Sequence, residues 1–463
     1  MTSVGDPSSG RDVDSAPDDD AALLREFGAL LDRREVRALF QPVVDLNSGE
    51  IVALEALARG PASSRLASPL VLFDVARKAG RVGELDWVCR TAAFKAFLDG
   101  GVPPSMTLFV NVEPEALAEE CPHDLAHLVA KAESLLRVFV DVNDRALADD
   151  PAGVLAAVDR AREMGWGVAI DDIGAGRAPL AMLPIVDADV VKLDRRALKE
   201  ASTERAAAVI TSVLRHVETT GAALLVEGIE SEEDARWARA LGAVYGQGYH
   251  LGAPGPLEHY HPPRTPVRQI RMAETVLRID SPFELFEDQE LPRMDEELMD
   301  ELISLIANAP RSAGAWPVLI ASAGRRGELS EAMSKHLGAT HAHLLCVIFG
   351  SRMPGEPAPG VHGVRIRAED PLNNERLLIV LSDQAPVALF ARGMPDGLYD
   401  VAVTQDAALV HAIAHHLIRR VPRAGADNLA LSARPFEPQP VIKTGDGVVE
   451  QKHRSWRGRL ARH

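Results

Sequence analysis

Residues Gly167–Gly176 read GVAIDDIGAG: a short apolar run, two adjacent carboxylates and a glycine-rich turn. The apolar run is typical of a buried strand, and the turn indicates where that strand ends. Asp171 and Asp172 would lose hydration there and repel each other, so something must offset that cost. Neighbours on a strand point to opposite sides, but the turn can bring the second acid towards the first.

Apolar runs of this kind alternate along residues 22–254 with amphipathic stretches that are typical of helices. The predicted strands are Ala38–Val44, Ile51–Leu57, Thr107–Val112, Val138–Val142, Gly167–Ile170, Val190–Leu193, Ala223–Val226 and Ala243–Gly248. The helical stretches between the later strands include Pro151–Met164, Glu204–Thr219 and Ser231–Leu241. The alternation favours a parallel sheet, and the eight runs predict an α/β fold, a TIM-like (β/α)₈ barrel.

The composition of the other segments predicts the domain organisation. Residues 1–21 are predicted to be a disordered acidic tail, and residues 423–463 a disordered basic tail. The barrel domain would span residues 22–256, and the proline-containing segment 257–275 is predicted to be a linker. Residues 276–422 combine strand-like and helical stretches and predict a smaller α/β domain.

The overall composition argues against several classes of protein. The net charge of −17 argues against binding to a nucleic-acid polymer through its backbone. The cysteines are scattered and form no CxxC pair, which fits a reducing cytoplasm. We see no apolar run of about 18 residues and no signal-peptide pattern, so we expect a cytoplasmic protein without a membrane partner.

Polar or charged residues stand at the ends of nearly all the predicted strands. They are Glu55, Asn111, Asp141 (with Asp144 after it), Asp171, Asp172, Lys192, Glu227 and Gln247. Each alone could cap a helix or lie in solvent, but functional groups of such barrels gather at the carboxyl ends of the strands. Converging carboxylates need cations to stay ionised, and Glu, Asp and Asn oxygens suit Mg²⁺ or Mn²⁺. The ring therefore predicts metal-assisted hydrolysis, especially at phosphorus.

The motifs of this block resemble those of the EAL-domain family, bacterial proteins that hydrolyse cyclic di-GMP. The segments that carry the resemblance are FQPVVDL (40–46), EALAR (55–59), FVNVEPEAL (109–117), FVDVND (139–144), AIDDIGAG (169–176), DVVKLDR (189–195), VEGIES (226–231) and GQGYHLGAP (246–254). The resemblance implies a phosphodiesterase that opens one bond of cyclic di-GMP to give linear pGpG, with two Mg²⁺ or Mn²⁺ ions.

The resemblance also implies a role for each matching residue. The implied ligands of one metal are Glu55, Asn111, Asp141 and Asp171, and the groups for the second metal or its water are Asp172 and Glu227. The implied catalytic residues are Lys192, Glu227, Asp172 and Gln247, of which Lys192 would position the attacking water. The implied substrate-binding residues are Gln41, Glu55, Leu57, Arg59, Asn111 and Pro254. Asp144 matches the acid that steadies the loop after the two aspartates.

Two features depart from the family pattern. Asp141 and Asp144 stand where the family usually has Glu-x-x-Glu, so the Asp141 oxygen would reach about 1–1.5 Å less far. The loop DDIGAGRAPL (171–180) replaces the common DDFGTGYSSL. Two functions therefore stay open: an active cyclic di-GMP phosphodiesterase, and a non-hydrolysing cyclic di-GMP receptor or regulatory interaction module.

Residues 276–422 resemble the DICT sensory domain. The resemblance rests on segments such as PVLIASAG (317–324), LLCVIFGSRM (344–353) and PGVHGVRI (359–366). It implies a sensory domain that regulates the barrel in response to an unknown ligand. Family members often pair through the barrel, so a homodimer is expected as well.

Overall fold

The structure is a computed structural model that describes residues 16–113, 116, 119–143, 147, 150–174, 180–199, 203–260, 270, 281–307, 317–324, 345–382 and 386–422. The chain divides into two compact units. The first contains the strands up to residue 246, and the second contains the strands from residue 293 onwards. The predicted basic tail, residues 423–463, lies outside the described residues.

The first unit is built on a closed barrel of eight strands that follow one another in chain order. The strands are β1 (Arg37–Asp45), β2 (Ile51–Arg59), β3 (Thr107–Val112), β4 (Arg137–Asn143), β5 (Gly167–Ile173), β6 (Val190–Asp194), β7 (Ala223–Glu227) and β8 (Tyr245–Gly246). Each overlaps a predicted strand, although β8 is shorter than predicted at both ends. The predicted α/β barrel is therefore confirmed.

The first strand runs against the direction of its neighbours. β1 is antiparallel to β2 and to β8, whereas β2 through β8 are mutually parallel. The prediction of a wholly parallel sheet is therefore wrong at β1. Residues 46–50 join β1 to β2, and so short a connection can only reverse the chain, because a parallel pair needs a crossover of a dozen residues or more.

One helix precedes β1, and the others lie in the connections from β2 onwards. They are α1 (Ala16–Asp32), α2 (Pro69–Ala79), α3 (Val82–Asp99), α4 (Ala126–Leu135), α5 (Pro151–Glu163), α6 (Leu183–Val186), α7 (Arg195–Lys199), α8 (Glu204–Thr220) and α9 (Glu232–Ala240). α1 begins inside residues 1–21, so the predicted acidic tail is too long. Its buried residues recur at helical spacing and favour the helix; they are Leu23, Phe27, Leu30 and Leu31.

The predicted linker contributes a residue to the barrel core. Ile270 is 2% exposed and packs with interior side chains that include Val43, Phe109 and Phe139. The guanidinium of Arg137 donates a hydrogen bond to its carbonyl. The prediction of a linker is therefore wrong at this residue, because the barrel interior removes its apolar side chain from water. Residues 261–269 and 271–280 lie outside the described part of the chain.

The second unit is a seven-stranded sheet in the order β12-β11-β10-β13-β14-β15-β9. Its strands are β9 (Arg293–Met294), β10 (Val318–Ser322), β11 (Leu345–Gly350), β12 (His362–Arg365), β13 (Glu375–Leu381), β14 (Val387–Gly393) and β15 (Tyr399–Thr404). Its helices are α10 (Glu296–Ala307) and α11 (Ala407–Ile418), and a 3₁₀ helix covers Pro282–Phe286. This is the smaller α/β domain expected; its likeness to a DICT domain stays a prediction.

The second unit has its own hydrophobic core. α10 buries Met299, Ile303 and Ile306 in a cluster with side chains of β10, β11, β13 and β14. Across both units, no helix among the described residues combines the length and apolar content that crossing a bilayer requires.

Candidate active site

Lys192 on β6 is fully buried inside the barrel and is surrounded by carboxylates. Its Nζ lies 2.8 Å from Asp141, 3.2 Å from Glu227, 3.4 Å from Glu55 and 3.7 Å from Asp171, measured to carboxylate oxygens. These acids come from four different strands, β4, β7, β2 and β5. The barrel therefore brings together the side chains that the sequence placed at separate strand ends.

Glu55, Asp141 and Asp171 form a first carboxylate group, in which one oxygen of each acid lies within 4.8 Å of the others. Asn111 Nδ2 and Gln247 Nε2 donate hydrogen bonds to the two oxygens of Glu55, at 3.0 and 2.7 Å. Asp141 Oδ1 and Gln247 Oε1 are buried without a hydrogen-bond partner in the described structure. Such orphaned acceptors favour a cation or an ordered water beside them.

Asp171, Asp172 and Glu227 form a second carboxylate group of the same size. Asp172 has a φ of 62°, so the chain turns in the left-handed region immediately after Asp171. The β5–β6 register shifts at this point, and Asn143 Nδ2 donates to Asp172 Oδ2 at 3.0 Å. The two aspartates therefore lie on one side, as predicted, but an irregularity within β5 and not the glycine-rich turn after it brings them together.

The protonation of these acids follows from their burial. Burial raises the pKa of Asp141 well above its ordinary value, and neighbouring carboxylates add to the effect. Burial and then the charge of Asp171 raise the pKa of Asp172 and, more strongly, that of Glu227. Burial opposes the charge on Lys192, but the carboxylates around it, Asp141 foremost, hold its pKa well above the ordinary value. Asp141, Asp172 and Glu227 therefore hold a proton more tightly than free carboxyl groups do, and a metal ion that binds them displaces it.

A cavity of about 260 Å³ is lined in part by Asn111, which donates a hydrogen bond to Glu55 of the first carboxylate group. It is lined by three of the predicted substrate-binding residues, Leu57, Arg59 and Asn111, and by side chains of α2 and α3. Arg59 is half-buried, and its Nη1 donates to the carbonyl of Ala58 at 2.8 Å. The cavity thus combines apolar side chains and the Asn111 amide with charged groups, which are Arg59, Arg77, Arg90, Asp86 and Glu113.

The remaining predicted substrate residues lie along β1 and after β8. Gln41 is opposite Glu55 in the β1–β2 register and accepts a hydrogen bond from Gln247 at 3.3 Å. Pro254 is half-buried and directly precedes a residue that pairs with β1. Gln41 is therefore connected with the first carboxylate group through the β1–β2 pairing and through Gln247, and Pro254 adjoins the residue that pairs with β1.

Three predicted features have different outcomes in the structure. Asp141 reaches the first carboxylate group despite its shorter side chain. Asp144 and residues 175–179 lie outside the described residues. Asn143 was missed by the sequence analysis, although alternation puts it on the same face of β4 as Asp141 and the register sets it opposite Asp171.

Comparisons with known proteins agree with this geometry. A family model described as the EAL domain matches residues 22–254. Cyclic di-GMP phosphodiesterase RocR of Pseudomonas aeruginosa is 32% identical over 240 residues, which are 50% of this chain and 60% of RocR. Probable cyclic di-GMP phosphodiesterase PdeB of Escherichia coli is 26% identical over 234 residues, 50% of this chain and 45% of PdeB. The chain spans 60% or less of the length of these curated relatives.

Solved structures include similar chains. A structure of PaMucR phosphodiesterase in complex with c-di-GMP is 26% identical, with a TM-score of 0.45, and the match covers 51% of this chain and 99% of that chain. A manganese and cy-diGMP complex of Klebsiella pneumoniae BlrP1 is 24% identical, with a TM-score of 0.41, over 48% of this chain and 56% of that chain.

Proposed function

The chain belongs to the EAL domain family, and from this premise we propose that its barrel is a cyclic di-GMP phosphodiesterase that yields linear pGpG. The observation that carries the proposal is the pair of overlapping carboxylate groups around the buried Lys192. Two acidic groups that share Asp171 match what a pair of divalent cations needs, because each cation then has its own oxygen ligands and both neutralise the shared acid.

The donor set fits hard divalent ions, Mg²⁺ or Mn²⁺. All the acids in both groups offer oxygen, and the orphaned Asp141 Oδ1 points to a missing cationic partner. We assign Glu55, Asn111, Asp141 and Asp171 to one ion, and Asp172 and Glu227, with Asp171 shared, to the other. Bound ions would polarise phosphoryl oxygens and make hydroxide available from water at neutral pH.

Lys192 supplies a fixed positive charge that does not depend on metal. Because four acids surround its ammonium group within 4 Å, it stays protonated in the folded barrel. It would donate a hydrogen bond to the attacking water and hold it at the phosphodiester. Gln247 orients Glu55, because its amide donates a hydrogen bond to one carboxylate oxygen of that acid. The remaining lone pairs of Glu55 are then available to a ligand.

The substrate would lie across the mouth of the site with one phosphate at Arg59. A guanidinium binds two phosphate oxygens at once, and Arg59 lines the cavity next to Asn111. Leu57 and Pro254 would contact the apolar surfaces of the dinucleotide, and Gln41 its polar groups. The cavity is large enough for part of a nucleotide, so the ligand would extend from it to the carboxylates.

Turnover of cyclic di-GMP by the full chain tests the proposal. We expect pGpG to appear with Mn²⁺ or Mg²⁺ and not with EDTA, as followed by chromatography. Asp171→Asn should abolish product formation, because it removes the acid that both groups share. Tight binding of cyclic di-GMP without product, even in Mn²⁺, would refute the phosphodiesterase and favour the receptor.

Three further parts of the hypothesis rest on the resemblance and on composition. We propose that residues 276–422 regulate the barrel through an unidentified ligand, that the chain forms a homodimer, and that it acts in the cytoplasm, where scattered unpaired cysteines are typical. Turnover by the isolated barrel, gel-filtration mass and cell fractionation test them in turn.

A further inference from the structure

Asp86 on α3 reaches the barrel from outside and binds the backbone next to the candidate active site. The residue is 1% exposed, and its Oδ1 accepts a hydrogen bond from the amide of Glu113 at 3.0 Å. Glu113 comes directly after β3 and two residues after Asn111, a proposed ligand of the first ion. A helix carboxylate therefore holds the main chain that carries a metal ligand.

The position of this bond explains why the chain needs it. The β3–β4 register runs from Thr107 to Val112, so the amide of Glu113 is the first one beyond the strand pairing. A buried amide without a partner is costly, and Asp86 provides one. The side chain of Glu113 is held as well, since Arg77 of α2 donates to it at 2.8 Å. Both contacts limit the movement of the strand end at Asn111.

Asp86 is itself fixed by a cation. Arg90 Nη2 lies 2.5 Å from Asp86 Oδ2, and Arg90 is 7% exposed. The guanidinium stacks over the ring of Trp87 at 3.7 Å, and the indole Nε1 donates to the carbonyl of Glu119 at 3.1 Å. Because Asp86 is buried and ion-paired with Arg90, and Arg90 stacks on the buried Trp87, the carboxylate that holds Glu113 has little freedom to move.

The barrel contains a second arrangement of this kind, which serves as an internal control. Asp189 is also a buried aspartate paired with an arginine, Arg162, and it accepts the amide of Val168 at 2.7 Å. That amide lies near the amino end of β5, whereas the Asp86 bond lies at the carboxyl end of β3. The two aspartates share their chemistry, but the amides that they bind lie at opposite ends of their barrel strands.

We propose that Asp86 is a positioning residue for the metal site: it fixes the end of β3 so that Asn111 is held beside Glu55. The inference rests on the proposed function, because it takes Asn111 as a metal ligand. Asp86 lines the same cavity as Arg59 and Asn111 but is only 1% exposed, and it would act on the metal site through the backbone of Glu113. Its loss should therefore weaken metal binding without changing the ligands.

Mn²⁺ binding by the full chain, measured from the electron paramagnetic resonance signal of free Mn²⁺, tests this role. Asp86→Ala removes the acceptor, and we expect the Kd for Mn²⁺ to rise about tenfold, as is typical when a residue behind a metal ligand is lost. Asp86→Asn keeps an acceptor oxygen and should restore most of the affinity. Asp189→Ala, the matched control, should leave the Kd unchanged. If Asp86→Ala does not fold, the double variant Asp86→Ala/Arg90→Leu, which leaves no buried charge unpaired, takes its place.

The outcomes separate this inference from the proposed function. If wild type and Asp86→Ala bind Mn²⁺ equally well and the wild type hydrolyses cyclic di-GMP, the proposed role of Asp86 is overturned and the proposed function stands. If Asp86→Ala binds Mn²⁺ more weakly than the wild type, and the wild type does not hydrolyse cyclic di-GMP, the role of Asp86 is supported and the phosphodiesterase is refuted. A wild type that binds no Mn²⁺ would overturn both. With turnover present, saturating Mn²⁺ should restore the kcat of Asp86→Ala, which a general folding defect would not allow.

Discussion

Replacing Glu227 by Gln should stabilise the metal-free protein at neutral and higher pH. The Glu227 side chain is 18% exposed and belongs to the second carboxylate group. Burial and the adjacent Asp171 raise its pKa well above the ordinary value. The folded chain therefore retains a proton at pH values where the unfolded chain, with a Glu pKa of about 4.3, has lost it.

The sign and size of the effect follow from that difference in bound protons. While the folded state holds the extra proton, the free energy of unfolding falls as pH rises, by about 1.4 kcal/mol per pH unit for one proton. Glutamine keeps the shape of the side chain and does not titrate. At pH values between the unfolded pKa and the raised folded pKa of Glu227, the free energy of unfolding of Glu227→Gln should therefore fall less steeply with pH than that of the wild type. The difference should be the slope due to one proton.

Urea unfolding in EDTA, followed by circular dichroism between about pH 5 and about pH 8, measures the slope. Glu230→Gln makes the same change of charge at a side chain that is 49% exposed, and serves as the control. With saturating Mn²⁺ the order should reverse, because the wild type gains binding free energy that Glu227→Gln lacks. A variant that shows the wild-type slope in EDTA, or that is less stable at pH 8 without metal, would refute this reasoning.

Three other substitutions test the roles of single side chains. Lys192→Met leaves buried acids without their cation, so it should lower the free energy of unfolding in urea titrations by about 3–5 kcal/mol. It should also lower turnover by at least about 100-fold. Activity near that of the wild type would contradict this. Asp141→Glu should reduce the Mn²⁺ concentration for half-maximal turnover if the shorter ligand limits metal binding, and equal or lower turnover at every concentration would count against that limit. Arg59→Ala should raise KM at least about tenfold with kcat nearly unchanged in steady-state kinetics, since a charged hydrogen bond contributes about 1.5–3 kcal/mol; an effect on kcat alone would exclude a binding role.

The periodicity of the sequence was sufficient to predict the barrel, but not the direction of its first strand. Short apolar runs alternating with helical stretches are a local pattern, and they indicate the eight strands well. Strand direction depends on what joins two runs, and the short connection at residues 46–50 is the signal that shows the reversal. Ile270 was missed because the few apolar residues around it, among them Val267 and Met272, form no strand or helix pattern.

The candidate site could be predicted where its residues lie at strand ends, because the barrel brings those ends together. Asn143 and Asp86 were missed for different reasons. Asn143 could have been found by counting two residues from Asp141, since alternate residues share a face. Asp86 lies within a helix, and nothing in its local sequence indicates that it binds an amide at the end of β3.

The short β8 pairs with each of its neighbours, β1 and β7, through two residues, fewer than at the other joints of the barrel. β1 pairs with β2 along nearly its whole length, but with β8 through two residue pairs, Val44↔Gly246 and Asp45↔Tyr245. Those partners are far apart in the chain, so loop-closure entropy opposes the formation of this joint. Gln41 and Gln247 bridge the two sides of the same joint. A ligand that contacts both glutamines would stabilise the β1–β8 pairing. Slower amide hydrogen exchange along β1 and β8 would then report that the site is occupied.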